Sequence, residues 1–298
     1  MTKAFTLLSD IQLNSSVDAV VAMAVYRGDK LDWVQEAVDS LLTQTYTHHV
    51  IVIVVDGDIP NEILSYLLIT SKALDNILLV QGKTNKGLSA CMNFVVDWTL
   101  QEVGTAKYFF RMDADDISLP TRLEKQIDFL KKHPKVSILG SGLFEVNETG
   151  KKVGHRKLPQ KHGEIVRFLP KRCSINHPTV VIRTHVFEKG FRYREGLMNT
   201  QDYFFWADLA AAGFRFANLS DKLLHFRRVN DFYKRRGIGK SINEFKARFY
   251  TMKTLNKYSI GNILYAFLVL GLRMMPGRIV KVAYKLDRHL LNKKVRHD

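Results

Sequence analysis

The sequence has few cysteines and no long apolar segment. Its 298 residues include only Cys91 and Cys173, whose spacing fits neither a disulfide framework nor a metal site. This scarcity favours a reducing, cytoplasmic setting. The N-terminus lacks the basic and then apolar pattern of a signal peptide, and no apolar run reaches the roughly 18–20 residues that span a bilayer. We therefore expect a cytoplasmic protein without a membrane-spanning helix.

Acidic residues are scarce in the C-terminal quarter of the chain. Residues 222–298 contain 19 Lys/Arg and 4 Asp/Glu, so they account for +15 of the formal net charge of +16. A basic segment of this kind favours binding to a polyanion, which can be anionic lipid, a lipid-linked pyrophosphate or nucleic acid. A nucleic-acid-binding protein is thus one alternative. Because the sequence contains no stacking module and no recognised DNA-binding motif, we expect no nucleic-acid partner.

The first half of the chain alternates apolar runs with segments of helical periodicity. Hydrophobic residues make up 46% of the chain, which is enough for a large core. Such alternation is typical of an α/β protein with a mainly parallel sheet and helices on both faces. The predicted strands are 19–25, 50–55, 77–80 and 108–112, and the predicted helices are 30–44, 60–74 and 88–100.

The pattern is more irregular after Pro134. The predicted strands are 136–139, 143–146, 180–183 and 215–224, the predicted helices are 162–170 and 201–213, and a hairpin-like turn is predicted at 150–154. No repeat or low-complexity linker divides the chain. We expect one domain over residues 1–230, followed by a basic helical extension at 231–298.

Three carboxylates follow the fourth predicted strand within the tetrad Asp113-Ala114-Asp115-Asp116. Like charges this close disfavour joint ionisation unless a cation lies among them. Oxygen-only ligands favour Mg²⁺ or Mn²⁺. The alternative is a solvated acidic turn in which Asp116 or Ser118 caps the next helix before Pro120.

Other polar residues interrupt the chain where predicted parallel strands end. Tyr26, Asp56, Lys86 and Asp113 should meet at the carboxyl edge of the sheet, where such sheets bind ligands. Asp56 can accept the N3–H of a uracil, or it can belong to an ordinary Asp-Gly-Asp turn. Lys86 can meet a nucleotide near a helix N-terminus, or it can be a solvated loop lysine.

Asp202 lies in the first turn of a predicted helix that Thr200 would cap. It is a candidate general base that takes a hydroxyl proton. The alternative is a carboxylate that stabilises the helix dipole by roughly 0.3–1 kcal/mol. Trp206 could offer a sugar-stacking surface or join the core, whereas we expect Phe204 and Phe205 in the core.

Three further positions complete the set of candidates. His177, before Pro178, either binds an acceptor or fixes its loop, and we favour the loop role. Asp116 is also a candidate for contact with the acceptor or for a role in its loop. Arg235 and Arg236 could neutralise a leaving diphosphate or attract a membrane surface.

Residues 258–272 carry no formal charge and place apolar side chains at helical spacing. Lys257 and Arg273 flank this segment. It is short for a membrane span, so we expect an amphipathic helix that lies on an anionic membrane surface, where each Lys or Arg contributes about 1 kcal/mol. The alternative is a helix that closes the core.

Together these motifs resemble the inverting family 2 glycosyltransferases, which have a GT-A fold. The resemblance covers roughly residues 17–230, and it implies a donor half at about 17–120 and an acceptor half at about 121–230. The Val55-Asp56-Gly57 stretch and the basic segment at 233–237 look closest to the amylovoran-type subgroup of exopolysaccharide and O-antigen synthesis. The motifs that carry it are Ala24-Val25-Tyr26, Ser40 to Tyr46, Val54-Val55-Asp56-Gly57, Asn85 to Ser89, Met112 to Pro120, His177-Pro178-Thr179 and Gln201-Asp202-Tyr203.

The resemblance implies a bacterial enzyme that uses a UDP-sugar, Mn²⁺ or Mg²⁺, and a lipid-linked saccharide acceptor. Asp115 would ligate the metal, Asp113 would approach the metal or the ribose, and Asp202 would be the base. A nucleotidyltransferase, which releases pyrophosphate, is the alternative enzyme. Three departures bear on donor choice: Gln201, Met92 and His225 stand where Glu, Arg and Tyr are common. The implied donor-site residues are Ala24, Tyr26, Asp56, Lys86, Asp113, Ala114, Arg235 and Arg236.

Overall fold

The computed structural model describes residues 4–13, 16–197, 199–228 and 238–274. Within these ranges the strands are β1 (Phe5–Leu7), β2 (Ala19–Val25), β3 (His49–Val55), β4 (Ile77–Gly82), β5 (Tyr108–Asp113), β6 (Ile117–Ser118), β7 (Val136–Val146), β8 (Lys152–Arg156), β9 (Val181–Arg183) and β10 (Arg215–Arg227). The helices are α1 (Leu31–Leu42), α2 (Asn61–Ala73), α3 (Leu88–Glu102), α4 (Arg122–Lys132), α5 (His162–Phe168), α6 (His185–Glu188), α7 (Gln201–Ala211), α8 (Ile238–Thr254) and α9 (Ile260–Met274).

The strands form one mixed sheet in the order β1-β4-β3-β2-β5-β9-β7-β10-β6, and β8 pairs with β7. The four neighbours β4, β3, β2 and β5 run parallel. The short strand β9 is antiparallel to both β5 and β7, and β7 is parallel to β10. This arrangement confirms the α/β class and the mainly parallel central sheet predicted from the sequence.

The central strands are apolar on both faces because helices cover both sides of the sheet. Successive side chains of a strand point to opposite faces. Val52 and Phe109 therefore join the core beneath α3 and α7, whereas Ile51 and Phe110 join the core beneath α1, α2 and α4. Every residue of β3 is buried as a result.

Strand β7 continues through Gly140 and Gly142, so the prediction of two separate strands is wrong. A Cβ atom at Gly140 would lie 2.3 Å from Oδ1 of Asn218. Asn218 donates from Nδ2 to the carbonyls of Pro159 and Ser174, at 2.7 and 2.9 Å. The glycine therefore leaves room for a buried amide on β10 and does not interrupt the strand.

The C-terminal helices pack on the body of the protein. The Tyr250 hydroxyl of α8 donates to Asp208 of α7, and Arg248 Nε donates to the carbonyl of Lys171 at 2.8 Å. Helix α9 then packs on α8. Among the described helices, none combines the length and apolar character needed to cross a membrane.

Candidate active site

The carboxyl ends of β2, β3 and β5 meet at one edge of the sheet. In register, Ala24 lies between Val54 of β3 and Asp113 of β5. Tyr26 and Asp56 follow β2 and β3 directly. The structure thus brings four predicted site residues together at the edge where parallel sheets bind ligands.

Asp56 is buried and holds the turn that precedes α3. Its Oδ1 accepts the backbone N–H of Lys86 at 2.7 Å, and its Oδ2 accepts that of Gly87 at 2.9 Å. Gly57 has a φ of +79°, and a Cβ there would lie 2.6 Å from the nitrogen of Asn85. Each carboxylate oxygen of Asp56 retains a lone pair for a further donor. The side chain of Lys86 is exposed beside this turn.

Tyr26 is 42% exposed at the same edge. Its ring lies against Gly28, where a Cβ would be 2.5 Å from the Tyr26 hydroxyl. Its backbone N–H donates to Oδ2 of Asp29 at 2.9 Å. Burial, with a smaller effect from Asp115 and Asp113, raises the pKa of Asp29 to about 7. Asp29 is thus a carboxyl of the site that the sequence analysis missed, because it reads there as an ordinary turn residue.

The acidic tetrad forms a compact cluster. One oxygen from each of Asp113, Asp115 and Asp116 lies within 4.8 Å of the others. Burial and the charge of Asp113 raise the pKa of Asp115 to about 6, and burial raises that of Asp116 well above its usual range. Oδ2 of Asp116 is buried without a hydrogen-bond partner. Clustered carboxylates with raised pKa values and a buried oxygen without a hydrogen-bond partner suit a divalent cation that prefers oxygen ligands.

The structure does not support the alternative of a helix cap. Ser118 belongs to β6, and the helix after Pro120 begins at Arg122 without a side-chain cap. Oδ1 of Asp116 instead accepts the backbone N–H of Arg227 at 2.9 Å. The tetrad is therefore tied to β10 and not to α4. Ala114, between the carboxylates, is buried.

Two arginines that the sequence analysis missed hold the acidic cluster. Arg111 is 2% exposed and binds both oxygens of Asp113 through its two terminal nitrogens. Arg227 donates from Nε to the carbonyl of Asp115 at 3.0 Å and pairs with Glu36 of α1. The available signal for Arg111 was a lone charge at the end of an otherwise apolar strand, on the face that carries Asp113 two residues later.

Asp202 lies in the first turn of α7, and the charge of Arg111 acts on it as well as on Asp115 and Asp116 of the acidic cluster. Burial raises the pKa of Asp202, whereas the Tyr203 N–H and the charge of Arg111 lower it. Oδ2 of Asp202 lies 3.7 Å from Sγ of Cys173. A carboxylate whose pKa is raised in this way suits a general base. Thr200 precedes the helix at a φ of 62° and makes no side-chain cap, contrary to the prediction.

His177 is buried and shares a hydrogen bond of 3.0 Å between its Nε2 and the Tyr193 hydroxyl. Burial lowers its pKa well below the usual range, so the imidazole is neutral. Tyr193 is held in turn by Asn93 of α3, whose Oδ1 accepts the Tyr193 N–H at 2.9 Å. These contacts make His177 part of the support of the loop between β9 and α7.

The interpretation of Trp206 as a stacking surface for a sugar is wrong. Its exposed fraction is 0%, and its ring packs edge-on against Phe216 at 6.4 Å. The face of α7 that carries Trp206 is turned to the sheet, so the indole belongs to the core. Phe205 is also buried there. Arg235 and Arg236 lie outside the described residues.

Comparison with known proteins identifies the family of this chain. The family model described as Glycosyl transferase family 2 matches residues 20–191. The chain is 29% identical to the amylovoran biosynthesis glycosyltransferase AmsE of Erwinia amylovora, over 90% of this chain and 98% of that protein.

A second relative comes from Escherichia coli and is named UDP-Gal:alpha-D-GlcNAc-diphosphoundecaprenol beta-1,3-galactosyltransferase. It is 30% identical over 77% of this chain and 82% of its own length. Among solved structures, S. aureus TarS 1–349 in complex with UDP superposes with a TM-score of 0.56 at 19% identity, covering 88% of this chain and 82% of that one. The chain described above belongs to glycosyl transferase family 2 and is a glycosyltransferase.

Proposed function

We propose that this enzyme transfers a hexose, glucose or galactose, from a UDP-sugar to a hydroxyl of a saccharide on polyprenyl pyrophosphate, with inversion to a β-linkage. The observation that carries the proposal is the cluster of Asp113, Asp115 and Asp116 at the carboxyl edge of the sheet. The charge of Arg111, which binds Asp113, also acts on Asp202. The relatives named for amylovoran synthesis and for transfer from UDP-galactose support a role in polysaccharide assembly.

The donor nucleotide would bind along the ends of β2 and β3. Asp56 has lone pairs left to accept the N3–H of uracil, and Tyr26 offers an exposed ring beside it. Lys86 lies at the N-terminus of α3, where the helix dipole favours phosphate. Ala24 and Ala114 are small residues at this edge that leave space for the nucleotide. Arg235 and Arg236 remain candidates for contact with the diphosphate.

Asp115 and Asp113 would hold a Mn²⁺ or Mg²⁺ ion, with Asp116 beside them. When bound, such an ion stabilises negative charge on the departing diphosphate. Arg111 fixes the orientation of Asp113, and Arg227 fixes the backbone of Asp115. These two arginines therefore orient the carboxylates that would ligate the ion.

Asp202 would take the proton from the acceptor hydroxyl as that oxygen attacks the anomeric carbon. The attack occurs from the face opposite the leaving diphosphate, so a single displacement inverts the carbon, as in inverting glycosidases. The new C–O bond forms as the bond to UDP breaks, and the proton remains on Asp202. Burial raises the pKa of this carboxyl above its usual range despite the nearby charges of Arg111 and Lys240, which suits proton capture.

The decisive experiment incubates the protein with Mn²⁺ and a panel of UDP-sugars and measures UDP release. Each reaction is run with and without a GlcNAc- or GalNAc-pyrophosphoryl-lipid acceptor. We expect release that depends on the acceptor and is confined to one donor. Pyrophosphate release instead of UDP release would indicate nucleotidyl transfer. No release from any donor with folded protein would contradict the proposed donor class.

The lipid-linked acceptor would place the enzyme at the cytoplasmic face of the membrane as a peripheral protein. The basic C-terminal quarter would supply the attraction to anionic lipid. The E. coli relative, whose name specifies a diphosphoundecaprenol acceptor, supports this assignment. Fractionation of cells that express the tagged protein tests it, because a peripheral enzyme should be released from membranes by high salt.

A further inference from the structure

Helix α9 carries an apolar stripe that the described part of the protein leaves largely exposed, with only Phe267 in contact with α8 at its edge. The stripe consists of Ile260, Leu264, Phe267, Leu268 and Met274, which are 56% to 79% exposed. Their spacing of three, four or six to seven residues puts them on one side of the helix. On the opposite side Ala266 is fully buried and Arg273 pairs with Glu244 of α8 at 2.6 Å. The helix is thus attached by one side and presents the other, apolar side to the surroundings.

Lysines border the apolar stripe. Phe267 contacts Phe245 and Phe249 of α8, with ring centroids 5.1 and 6.0 Å apart. Lys246 and Lys253 are exposed and lie one turn before and one turn after Phe249 on α8. They therefore flank the stripe at the side where Phe267 meets α8.

The charge of the sequence favours one occupant of this surface. Residues 275–298, which follow α9 directly, contain seven Lys/Arg and two Asp/Glu. A second copy of the chain would bring two strongly basic surfaces together, which is unfavourable. An anionic bilayer instead offers hydrocarbon for the stripe and negative headgroups for the lysines.

We propose that the stripe on α9, with Lys246 and Lys253 of α8, docks the enzyme onto an anionic lipid bilayer. Helix α9 has 15 residues, which at 1.5 Å per residue reach only about three quarters of the roughly 30 Å hydrocarbon core. The helix therefore lies in the plane of the interface with its apolar side inserted. Its partner is the lipid surface itself and not a protein.

This docking surface is rigidly connected to the helix that carries the proposed base. The ring of Tyr250 on α8 packs against Phe204 of α7 with centroids 5.1 Å apart. Asn243 Nδ2 donates to Oδ1 of Asn199, just before α7, at 3.0 Å. Docking of α9 consequently fixes the position of Asp202 relative to the membrane. This consequence rests on the proposed function, whereas lipid binding does not.

The first test measures sedimentation of the full chain with vesicles of phosphatidylcholine alone or with added phosphatidylglycerol. We expect binding only to the anionic vesicles. Leu264→Ser with Leu268→Ser should weaken binding at least about tenfold, because two side chains that insert into the hydrocarbon become polar. Ile69→Ser is the control, since Ile69 is 70% exposed on α2, away from the stripe.

A second variant tests the charge without removing apolar groups. Lys246→Glu with Lys253→Glu should reduce binding to anionic vesicles severalfold and should make the remaining binding less sensitive to salt. Circular dichroism checks that α8 and α9 remain folded in both variants. The proposal is overturned if the wild-type protein does not bind anionic vesicles. It is also overturned if the leucine variant binds them as tightly as wild type does.

Two further measurements separate this proposal from its rivals. Sedimentation equilibrium without vesicles should give the same mass for wild type and the leucine variant, and a dimer that this variant dissociates would assign the stripe to a second copy. In transfer assays the leucine variant should be slower than wild type when the acceptor is embedded in vesicles. The two proteins should have the same rate with a lipid-free acceptor saccharide. Absence of transfer to either acceptor contradicts the proposed function, while the vesicle result still decides the docking.

Discussion

Arg111 binds Asp113 through both terminal guanidinium nitrogens, and the two residues are neighbours on the same face of β5. Arg111 is almost completely buried, and its backbone carbonyl accepts a hydrogen bond of 2.7 Å from Arg122. Its charge also acts on Asp116 and Asp202. One buried cation thus acts both on the carboxylates proposed for the metal and on the carboxylate proposed as the base.

Replacement of Arg111 should show how much the Arg111–Asp113 ion pair contributes to the free energy of unfolding. Arg111→Met leaves the Asp113 carboxylate without its partner, so we expect a loss of about 3–5 kcal/mol in the free energy of unfolding. Adding Asp113→Asn should recover much of that loss, because the neutral amide no longer needs a counter-charge. Urea unfolding of the two single variants and the double variant measures the coupling between these residues.

A matched control for this double-mutant cycle combines Arg183→Met with the same Asp113→Asn substitution. Arg183 donates to the carbonyls of Val136 and Leu130, at 2.8 and 2.7 Å, and has no carboxylate partner at Asp113. The effects of these two substitutions should add. If the effects of Arg111→Met and Asp113→Asn also add in their double variant, the observed ion pair does not stabilise the folded protein.

Stability should depend on pH and on divalent cations through Asp115. Burial and Asp113 raise the folded-state pKa of Asp115 to about 6, above the value near 3.9 of an unfolded chain. The folded protein therefore binds this proton more tightly, and the resulting stability is complete below about pH 4 and is lost as the pH rises through about 6. A bound cation would replace the proton at higher pH. Thermal unfolding should show greater stabilisation by Mn²⁺ at pH 7.5 than at pH 5.

Asp115→Asn should remove most of this stabilisation by Mn²⁺. Asp75→Asn is the control, because Asp75 is exposed in the turn between α2 and β4, outside the acidic cluster. The control should retain the wild-type response at both pH values. An unchanged response to Mn²⁺ in Asp115→Asn would exclude this carboxylate as a ligand.

Gly140 should tolerate no side chain. A Cβ at this position would lie 2.3 Å from Oδ1 of Asn218, which is itself held by two carbonyls. Gly140→Ala should therefore cost about 1–3 kcal/mol of folding stability through overpacking. Gly104→Ala is the matched control, since no atom lies within 4 Å of a Cβ there. Denaturant midpoints compare the two variants, and equal midpoints would contradict the close approach of β10.

Local sequence pattern was sufficient for the elements and residues that depend on neighbouring positions. Apolar runs predicted the parallel strands, and their polar ends placed Asp56 and Asp113 at one edge. Arg227 could not be found in this way, because its contact with Asp116 joins positions 111 residues apart. Which side of α7 faces the sheet is decided by tertiary packing, so the burial of Trp206 was equally inaccessible.

Asp202 should control the acidic limb of the pH profile for transfer. Because burial raises its pKa, the carboxylate is protonated at higher pH than an exposed Asp, and kcat should fall about tenfold per pH unit below that pKa. Asp202→Asn should reduce kcat by about 10²–10⁴-fold and leave UDP affinity, measured by calorimetry, unchanged. Near-normal turnover of this variant would exclude Asp202 as the base.

The thiol of Cys173 provides a finer test of the same carboxylate. Its Sγ lies 3.7 Å from Oδ2 of Asp202, and the other groups that act on this carboxylate are the Tyr203 N–H and the charges of Arg111 and Lys240. Removal of a donor disfavours the anion. Cys173→Ala should therefore raise the pKa of Asp202 and move the acidic limb to higher pH.

The control for this shift is the adjacent Ser174→Ala. Ser174 is buried and donates to the carbonyl of Ile165 at 3.1 Å, so the variant loses a hydrogen bond at a similar depth without touching Asp202. Both variants could lose stability, but only the loss of the thiol changes the surroundings of the carboxylate. The acidic limb should shift in Cys173→Ala and stay in place in Ser174→Ala. Equal profiles in the two variants would show that the thiol does not act on the base.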